Sequence, residues 1–133
     1  WTAQGFSSNP GPGPINTGVS VSISGTALNA GSLSTTAGVA AVYVTTAPGS
    51  VSGGTRVDTD ALATLDPCRS ESVALSHAFT AGQAGTRWLV VQLDDTTTTT
   101  EYDESSGSNL ASIGPFTVAV AGPALAVSAS ALE

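Results

Sequence analysis

Acidic side chains are concentrated in one short window of this 133-residue chain, between residues 93 and 109. The window follows an apolar run and holds half of the ten acidic residues of the sequence: Asp94, Asp95, Glu101, Asp103 and Glu104. Carboxylate oxygens are the hard ligands that calcium takes, roughly six to eight at a time. Calcium is therefore a candidate ligand of this window. The residues that would hold it are Asp94, Glu101, Asp103 and Glu104.

The same window is open to a structural interpretation. The D-x-D-x-D-G spacing of dedicated calcium loops is missing from it. Clustered carboxylates repel one another unless a cation or N–H donors neutralise them, and Glu101 and Glu104 could accept hydrogen bonds from backbone N–H groups. The sequence favours this second version, in which the window is an ordered acidic loop and no cofactor is required.

Trp88 is the aromatic residue best placed for ligand contact. It is out of phase with Leu89, Val91 and Leu93 in the same predicted strand. If those three residues face the core, Trp88 and Val90 face outward. An outward Trp is a candidate platform for a sugar or a contact with another module. The alternative, which we favour, is that a long loop covers the ring, since a single outward-facing apolar residue is ordinary.

No set of residues in the sequence has the pattern of a catalytic site. His77 is the single histidine and shares a predicted face with Leu75 and Phe79, which is typical of a hydrogen-bonded core or edge residue. Cys68 is the single cysteine, so an internal disulfide is excluded, and its Asp-Pro-Cys-Arg context favours a filler residue in a turn over a reactive thiol. Nucleophile, metal and phosphate motifs are all missing from the sequence, so we expect no enzymatic activity.

The charge balance argues against two classes of partner. The chain has no Lys and three Arg against ten carboxylates, for a formal net charge of -7. Such a chain repels nucleic acid and anionic membrane surfaces, because the cations that neutralise phosphates are missing. No apolar run approaches about 18 residues, so we expect no membrane insertion. The Ser-, Thr- and Gly-rich composition favours an extracellular or cell-surface location.

Alternation with a period of two residues is the main regularity of the sequence, and it predicts strands rather than helices. Seven short strands are predicted, at 1–8, 19–28, 39–45, 56–65, 71–79, 87–94 and 115–121. Strands at this spacing, separated by Gly, Pro and Asn turns, predict an all-β fold, a two-sheet antiparallel sandwich. The residues expected to face its core are Val19, Val21, Ile23, Leu89, Val91, Leu93, Phe116, Val118 and Val120.

The chain is predicted to form one module over residues 1–121, followed by a tail at 122–133. The segment 125–130 resembles the opening segment 1–7, so the tail is interpreted as the start of a following repeat. A cloning remnant ending in Leu132-Glu133 is the alternative.

Several segments occur in the order of a known family. They are Asn29-Ala30-Gly31, the strand 41–44 with its Tyr, the Gly-led strand 85–94, the pair Glu101 and Glu104, and Asn109. In this order the sequence resembles the CARDB family, the cell-adhesion-related domains of bacteria and archaea. The resemblance implies an immunoglobulin-like β-sandwich that occurs in repeats on large secreted or surface proteins.

These observations predict a non-catalytic extracellular adhesion or spacer module of a larger bacterial or archaeal surface or secreted protein. Its expected partners are adjacent domains of the same polypeptide, with a surface glycan or protein as a second candidate. The alternative function is a carbohydrate-binding module that uses Trp88 or Tyr43.

Overall fold

The computed structural model of the protein describes residues 1–94 and 109–121. Strands dominate these ranges, and the all-β prediction is confirmed. The eight strands of the described part are β1 (Thr2–Asn9), β2 (Gly13–Asn16), β3 (Ser20–Leu28), β4 (Gly38–Thr45), β5 (Thr55–Leu62), β6 (Ser70–Ala78), β7 (Gly85–Gln92) and β8 (Leu110–Ala119). A short 3-10 helix, Ala81–Gln83, joins β6 to β7. Within the described ranges, no helix is long and apolar enough to cross a membrane.

The strands form two sheets that share one hydrophobic core, as the predicted sandwich requires. One sheet has the order β1-β3-β6, and the other has the order β2-β8-β7-β4-β5. Strand β3 shows how the sequence builds this arrangement: Val21 and Ile23 are buried, while the serines between and beside them are exposed. Alternate side chains of a strand point to opposite faces, so β3 buries one face against the second sheet and leaves the other in solvent.

The prediction that every strand pair is antiparallel is wrong at one edge. Strand β2, which the sequence did not predict, pairs in parallel with β8, from Gly13 opposite Phe116 to Asn16 opposite Ala119. The chain leaves β1 at Asn9 and crosses to the other sheet through a segment with prolines at every second position. Proline has no backbone N–H to continue a ladder, so this segment ends the pairing of β1 with β3 and tolerates only an edge position in the next sheet.

Two of the nine predicted core residues are wrong. Val19 is 42% exposed and Val120 is 57% exposed, whereas the other seven are buried. Val19 lies in the turn before β3, and Val120 follows the last residue of β8. The alternating pattern continues in the sequence beyond the hydrogen-bonded strands, but outside the sheets it no longer directs side chains to the core.

The first and last strands give the sandwich two distinct ends. We call the end where β1 begins the proximal pole and the end where β8 ends the distal pole. Loops 29–37 and 63–69 meet at the proximal pole, where the Asn29 N–H donates to the Arg69 carbonyl at 2.9 Å. The turn at 17–19 and the segment after β6 meet at the distal pole, where the Gly18 N–H donates to the Phe79 carbonyl at 3.0 Å. The first described strand therefore begins at one pole, and the last described strand ends at the other.

Candidate functional site

Trp88 lies on the outer face of the five-stranded sheet, opposite Thr45 of β4. Its neighbours Leu89 and Val91 belong to the core cluster, and Trp88 does not. The Trp88 side chain is half-buried. Its indole lies over Gly114, because a Cβ added at that glycine would be 2.8 Å from Cε3 of the ring. The glycine therefore provides the space that this aromatic side chain occupies on the sheet.

Val90 also lies outside the core cluster, yet it is fully buried. The loop 46–54 supplies the physical reason, because the Gly49 N–H donates to Ser112 Oγ at 2.8 Å. Ser112 is the residue paired with Val90 across β7 and β8. The loop thus folds back from the distal pole over the outer face of the sheet, down to the level of Val90.

The outer face brings two aromatic residues together. Tyr43 is opposite Val90 and Trp88 is opposite Thr45, so Tyr43 and Trp88 are diagonal neighbours on adjacent strands. Both are half-buried, and diagonal neighbours are within reach of each other when the side chains are aromatic. Two partly exposed rings on one sheet surface can offer apolar faces to a planar or ring-shaped ligand. Ligand contact by Trp88 stays a prediction.

The acidic window is described only where it leaves and rejoins the sheet. Asp94 is 2% exposed and Asn109 is 6% exposed, and Asp94 has a positive φ of 55°. The Leu93 N–H donates to the Asn109 carbonyl at 2.9 Å, and Asn109 Nδ2 donates to the Leu93 carbonyl at 3.1 Å. These two bonds close the base of the window.

The remaining predicted calcium ligands lie outside the described residues. They are Glu101, Asp103 and Glu104. Within residues 1–94 and 109–121, no group of three or more His, Cys, Asp or Glu side chains could hold a metal ion. The calcium interpretation and the pinned-loop interpretation of these residues both stay predictions.

Asn29 organises the proximal pole in a way that the sequence pattern did not reveal. It is 3% exposed. Its Nδ2 donates to the carbonyls of Leu33 at 2.7 Å and Leu65 at 3.0 Å, and its Oδ1 accepts from the Gly31 N–H at 3.0 Å. The Cys68 N–H donates to the Asn29 carbonyl at 2.8 Å. One buried amide thus joins the loop after β3 to the loop after β5, and the Asn-x-Gly motif was the signal that could have indicated it.

Carboxylates connect the edges of the two sheets along β5 and β6. Asp58 Oδ2 accepts from the Ser76 N–H at 2.8 Å, and Asp60 Oδ2 accepts from the Ala74 N–H at 2.9 Å. The N–H groups of Ala74 and Ser76 face the side of β6 that no described strand covers. The two aspartates therefore accept the hydrogen bonds that a pairing strand would otherwise accept. We call this pair the carboxylate rungs. The signal for them in the sequence is Asp58-x-Asp60, whose two-residue spacing places both acids on one face.

His77 lies in the edge strand β6, and Cys68 lies in the turn that precedes it. His77 Nε2 is 2.8 Å from Gln83 Oε1, and its ring meets Phe79 edge-on with the centroids 5.3 Å apart. The expectation of a hydrogen-bonded edge residue is confirmed for His77. Cys68 is exposed, with a positive φ of 65°. It lies in a turn that is closed by a hydrogen bond from the Arg69 N–H to the Asp66 carbonyl at 3.1 Å.

The two sheets and their shared core define an immunoglobulin-like β-sandwich. More narrowly, the chain has the fold of a CARDB domain, as the sequence resemblance implied. It is similar to the crystal structure of the CARDB domain of a Pyrococcus furiosus protein in complex with di-metal ions, with 17% identity, a TM-score of 0.63, and coverage of 91% of this chain and 93% of that one. It is also similar to the solution NMR structure of a Pyrococcus furiosus CARDB domain, with 19% identity, a TM-score of 0.60, and coverage of 88% and 92%.

A similar fold occurs inside a much longer enzyme. The chain matches a mutant β-glucosidase from Listeria innocua in complex with laminaribiose, with 15% identity and a TM-score of 0.50. The match covers 90% of this chain and 16% of the glucosidase. No family model matches the sequence. No curated protein matches it either.

Proposed function

We propose that this chain is a non-catalytic spacer and adhesion module of a larger extracellular or surface protein of a bacterium or archaeon. The observation that carries the proposal is the polarity of the fold, with β1 beginning at the proximal pole and β8 ending at the distal pole. Modules of this kind, when joined in series, extend in one direction and hold a terminal domain away from its anchor. Neighbouring domains of the same polypeptide are the partners of such a module.

The sides of the sandwich support the same proposal. The outer side of β6 is occupied by the carboxylate rungs, and β2, the edge strand on the other side, contains Pro14. Both are devices that prevent a strand from pairing with another molecule. The protected edges of β6 and β2, together with the distinct poles, favour association from pole to pole over association side by side.

Two full 133-residue chains fused in series provide the test of the spacer role. Small-angle X-ray scattering should give a maximum dimension close to twice that of the single chain, because the join connects opposite poles. The single chain is the control. A maximum dimension only slightly larger than that of the single chain would mean that the copies pack side by side, and the spacer proposal would be rejected.

Carbohydrate binding is the second candidate function, and the placement of Tyr43 and Trp88 on one face favours it. Sugar rings stack on aromatic faces, and each ring contributes large area at a small entropic cost. Affinity electrophoresis against a panel of neutral polysaccharides should show retardation that Trp88→Phe weakens and Tyr43→Ala abolishes. Leu33→Ala is the matched control, since Leu33 is 80% exposed and distant from this face. Equal mobility of all four proteins in every gel would eliminate this candidate.

A further inference from the structure

The exposed large hydrophobic side chains of the described residues are found at the poles. The large hydrophobic residues that are exposed in residues 1–94 and 109–121 are Val19 at 42%, Leu33 at 80% and Val120 at 57%. Val19 and Val120 lie at the distal pole, and Leu33 lies in loop 29–37 at the proximal pole. A scattered exposed residue is ordinary, but this distribution places apolar surface where neighbouring modules in series would meet.

The distal pole has a shallow depression that is open to solvent. It has a volume of about 320 Å³ and is lined by Pro10, Pro14, Ile15, Asn16 and Val19. Two hydrogen bonds hold the chain beside it: the Thr17 N–H donates to the Ala119 carbonyl at 2.9 Å, and the Ala121 N–H donates to Thr17 Oγ1 at 3.0 Å. Val120 lies between those two partners of Thr17. Prolines have little conformational freedom to lose, so a ligand entering the depression pays little ordering entropy.

The proximal pole presents a single apolar side chain from a fixed backbone. The Leu33 carbonyl accepts from Asn29 Nδ2 at 2.7 Å, and two residues later the Thr35 N–H donates to the Leu65 carbonyl at 2.9 Å. The backbone is therefore held at the Leu33 carbonyl and again at Thr35, while the Leu33 side chain is 80% exposed. An anchored backbone with an exposed leucine is a preorganised knob.

The distal pole carries a basic side chain, and the proximal pole carries an acidic side chain beside Leu33. Arg87 lies near the start of β7 at the distal pole, paired with Phe116, which in turn pairs with Gly13 of β2. Asp66 lies beside the knob at the proximal pole, where its carboxylate accepts from Ser34 Oγ at 2.9 Å. Arg69 and the half-buried Glu71 are at the same pole, where carboxylates outnumber guanidinium groups among the described residues. Opposite charges on facing surfaces favour the correct orientation of encounter.

We propose that copies of this chain dock head to tail, with Leu33 of one copy inserted into the depression of Pro10, Pro14, Ile15 and Val19 of the copy before it. Knob and depression lie at opposite poles of one molecule, so they cannot satisfy each other within a chain, and the contact is heterologous and repeats along an axis. The proposal rests on the spacer role proposed above. It adds that the joints between modules are stiff.

The test uses the fusion of two full 133-residue chains, in which only one of the two Leu33 residues faces a depression. Joining the copies raises their effective concentration to about the millimolar range, so even a weak contact forms. Backbone ¹⁵N relaxation should give one rotational correlation time for both copies, as for a single rigid body. Leu33→Asp in the second copy should release the copies to tumble with separate, shorter correlation times.

Matched controls make each result decisive. Leu33→Asp in the first copy has the same composition but alters a knob that faces solvent, so it should leave the single correlation time unchanged. Val19→Asp in the first copy should release the copies, whereas Val19→Asp in the second should not. Equal effects of the two placements, or independent tumbling of the unaltered fusion, would overturn the docking proposal. The spacer role would survive either result as long as scattering still shows an extended fusion, and it would fail only if the copies pack side by side.

Discussion

At the scale of single residues, the molecule depends on side chains that satisfy several backbone groups at once. Asn29 is the main example, since its amide donates to two carbonyls and accepts from one N–H while 3% exposed. An amide is the only uncharged side-chain group that offers two donors and an acceptor together. No apolar or hydroxyl side chain can replace it in this position.

We predict that Asn29→Ala lowers the free energy of unfolding by about 2 to 4 kcal/mol, because it leaves buried backbone groups without partners. Asn29→Asp should also destabilise, since its carboxylate keeps the bond to the Gly31 N–H but faces two carbonyls without a donor. Urea unfolding followed by fluorescence measures both. Asn16→Ala, at an exposed asparagine, is the control and should be close to neutral. A similar loss for Asn16→Ala and Asn29→Ala would contradict the role of Asn29.

Substitutions at two glycines distinguish the cost of backbone strain from the cost of a steric clash. Gly13 and Gly114 both have a positive φ, at 133° and 154°. A Cβ at Gly13 would meet nothing within 4 Å, whereas a Cβ at Gly114 would be 2.8 Å from the Trp88 ring. Gly114→Ala should therefore destabilise by about 1 to 3 kcal/mol more than Gly13→Ala, the extra being the overpacking term. Chemical denaturation gives the difference, and a red-shifted Trp emission in Gly114→Ala alone should accompany it. Equal losses would show that the ring does not lie where we describe it.

At the scale of strands and loops, the outer edge of β6 is covered by side chains from the other sheet. Strand β6 pairs with β3 on one side, and on the other side it receives the side chains of Asp58 and Asp60. A charge-assisted acceptor is a stronger partner for an N–H than a neutral one. The carboxylate rungs therefore hold the two sheets together at this side and cover an edge that another strand could otherwise use.

Removing the carboxylate rungs should have two effects. Asp58→Ala with Asp60→Ala should lower the free energy of unfolding by about 1 to 2 kcal/mol per site. It should also increase self-association at high concentration, because an uncovered edge is a template for pairing. Thermal unfolding and sedimentation velocity measure the two effects. Asp66→Ala is the control, because the Asp66 carboxylate accepts from Ser34 Oγ in a loop and not from β6, and it should show no increase in association. If the double variant stays monomeric at every concentration, the rungs do not protect the edge.

The strands that alternate cleanly could be predicted from sequence, and the edges could not. In β3 the apolar residues Val21 and Ile23 alternate with serines, and in β7 the predicted core residues Leu89 and Val91 share a phase; the structure buries all four as predicted. Strand β2 was missed because prolines exclude a central strand, although they permit an edge strand. Val19 and Val120 were misplaced because alternation does not show where hydrogen bonding stops. Asp58 and Asp60 have roles that depend on which strand of the other sheet lies nearby, and local pattern does not contain that information.

At the scale of the whole molecule, the acidic window bears on whether the stability of the fold depends on a bound metal ion. The base of the acidic window is closed by two hydrogen bonds between Leu93 and Asn109, and Asp94 is buried beside them. The base of the window is thus held by hydrogen bonds between protein groups.

We therefore predict that the melting temperature of the full chain is unchanged by millimolar calcium and by a chelator. A ligand that binds only the native state raises the stability by mass action, by about 2.7 kcal/mol when its concentration is 100 times the dissociation constant. Differential scanning calorimetry detects a shift of that size. Glu101→Gln with Glu104→Gln is the companion variant. A calcium-dependent rise in the melting temperature that this variant abolishes would reverse the conclusion and assign the window to metal binding.

The carboxylate rungs also bear on how a protein made of such modules reaches its native state. Copies joined in series experience one another at about millimolar effective concentration while they fold, and exchange of strands between similar neighbours is a characteristic misfolding route of repeat proteins. Asp58 and Asp60 come from β5, which precedes β6 in the chain. The groups that cover the edge of β6 are therefore synthesised before that edge exists, and each copy carries its own protection from its neighbours as it leaves the ribosome.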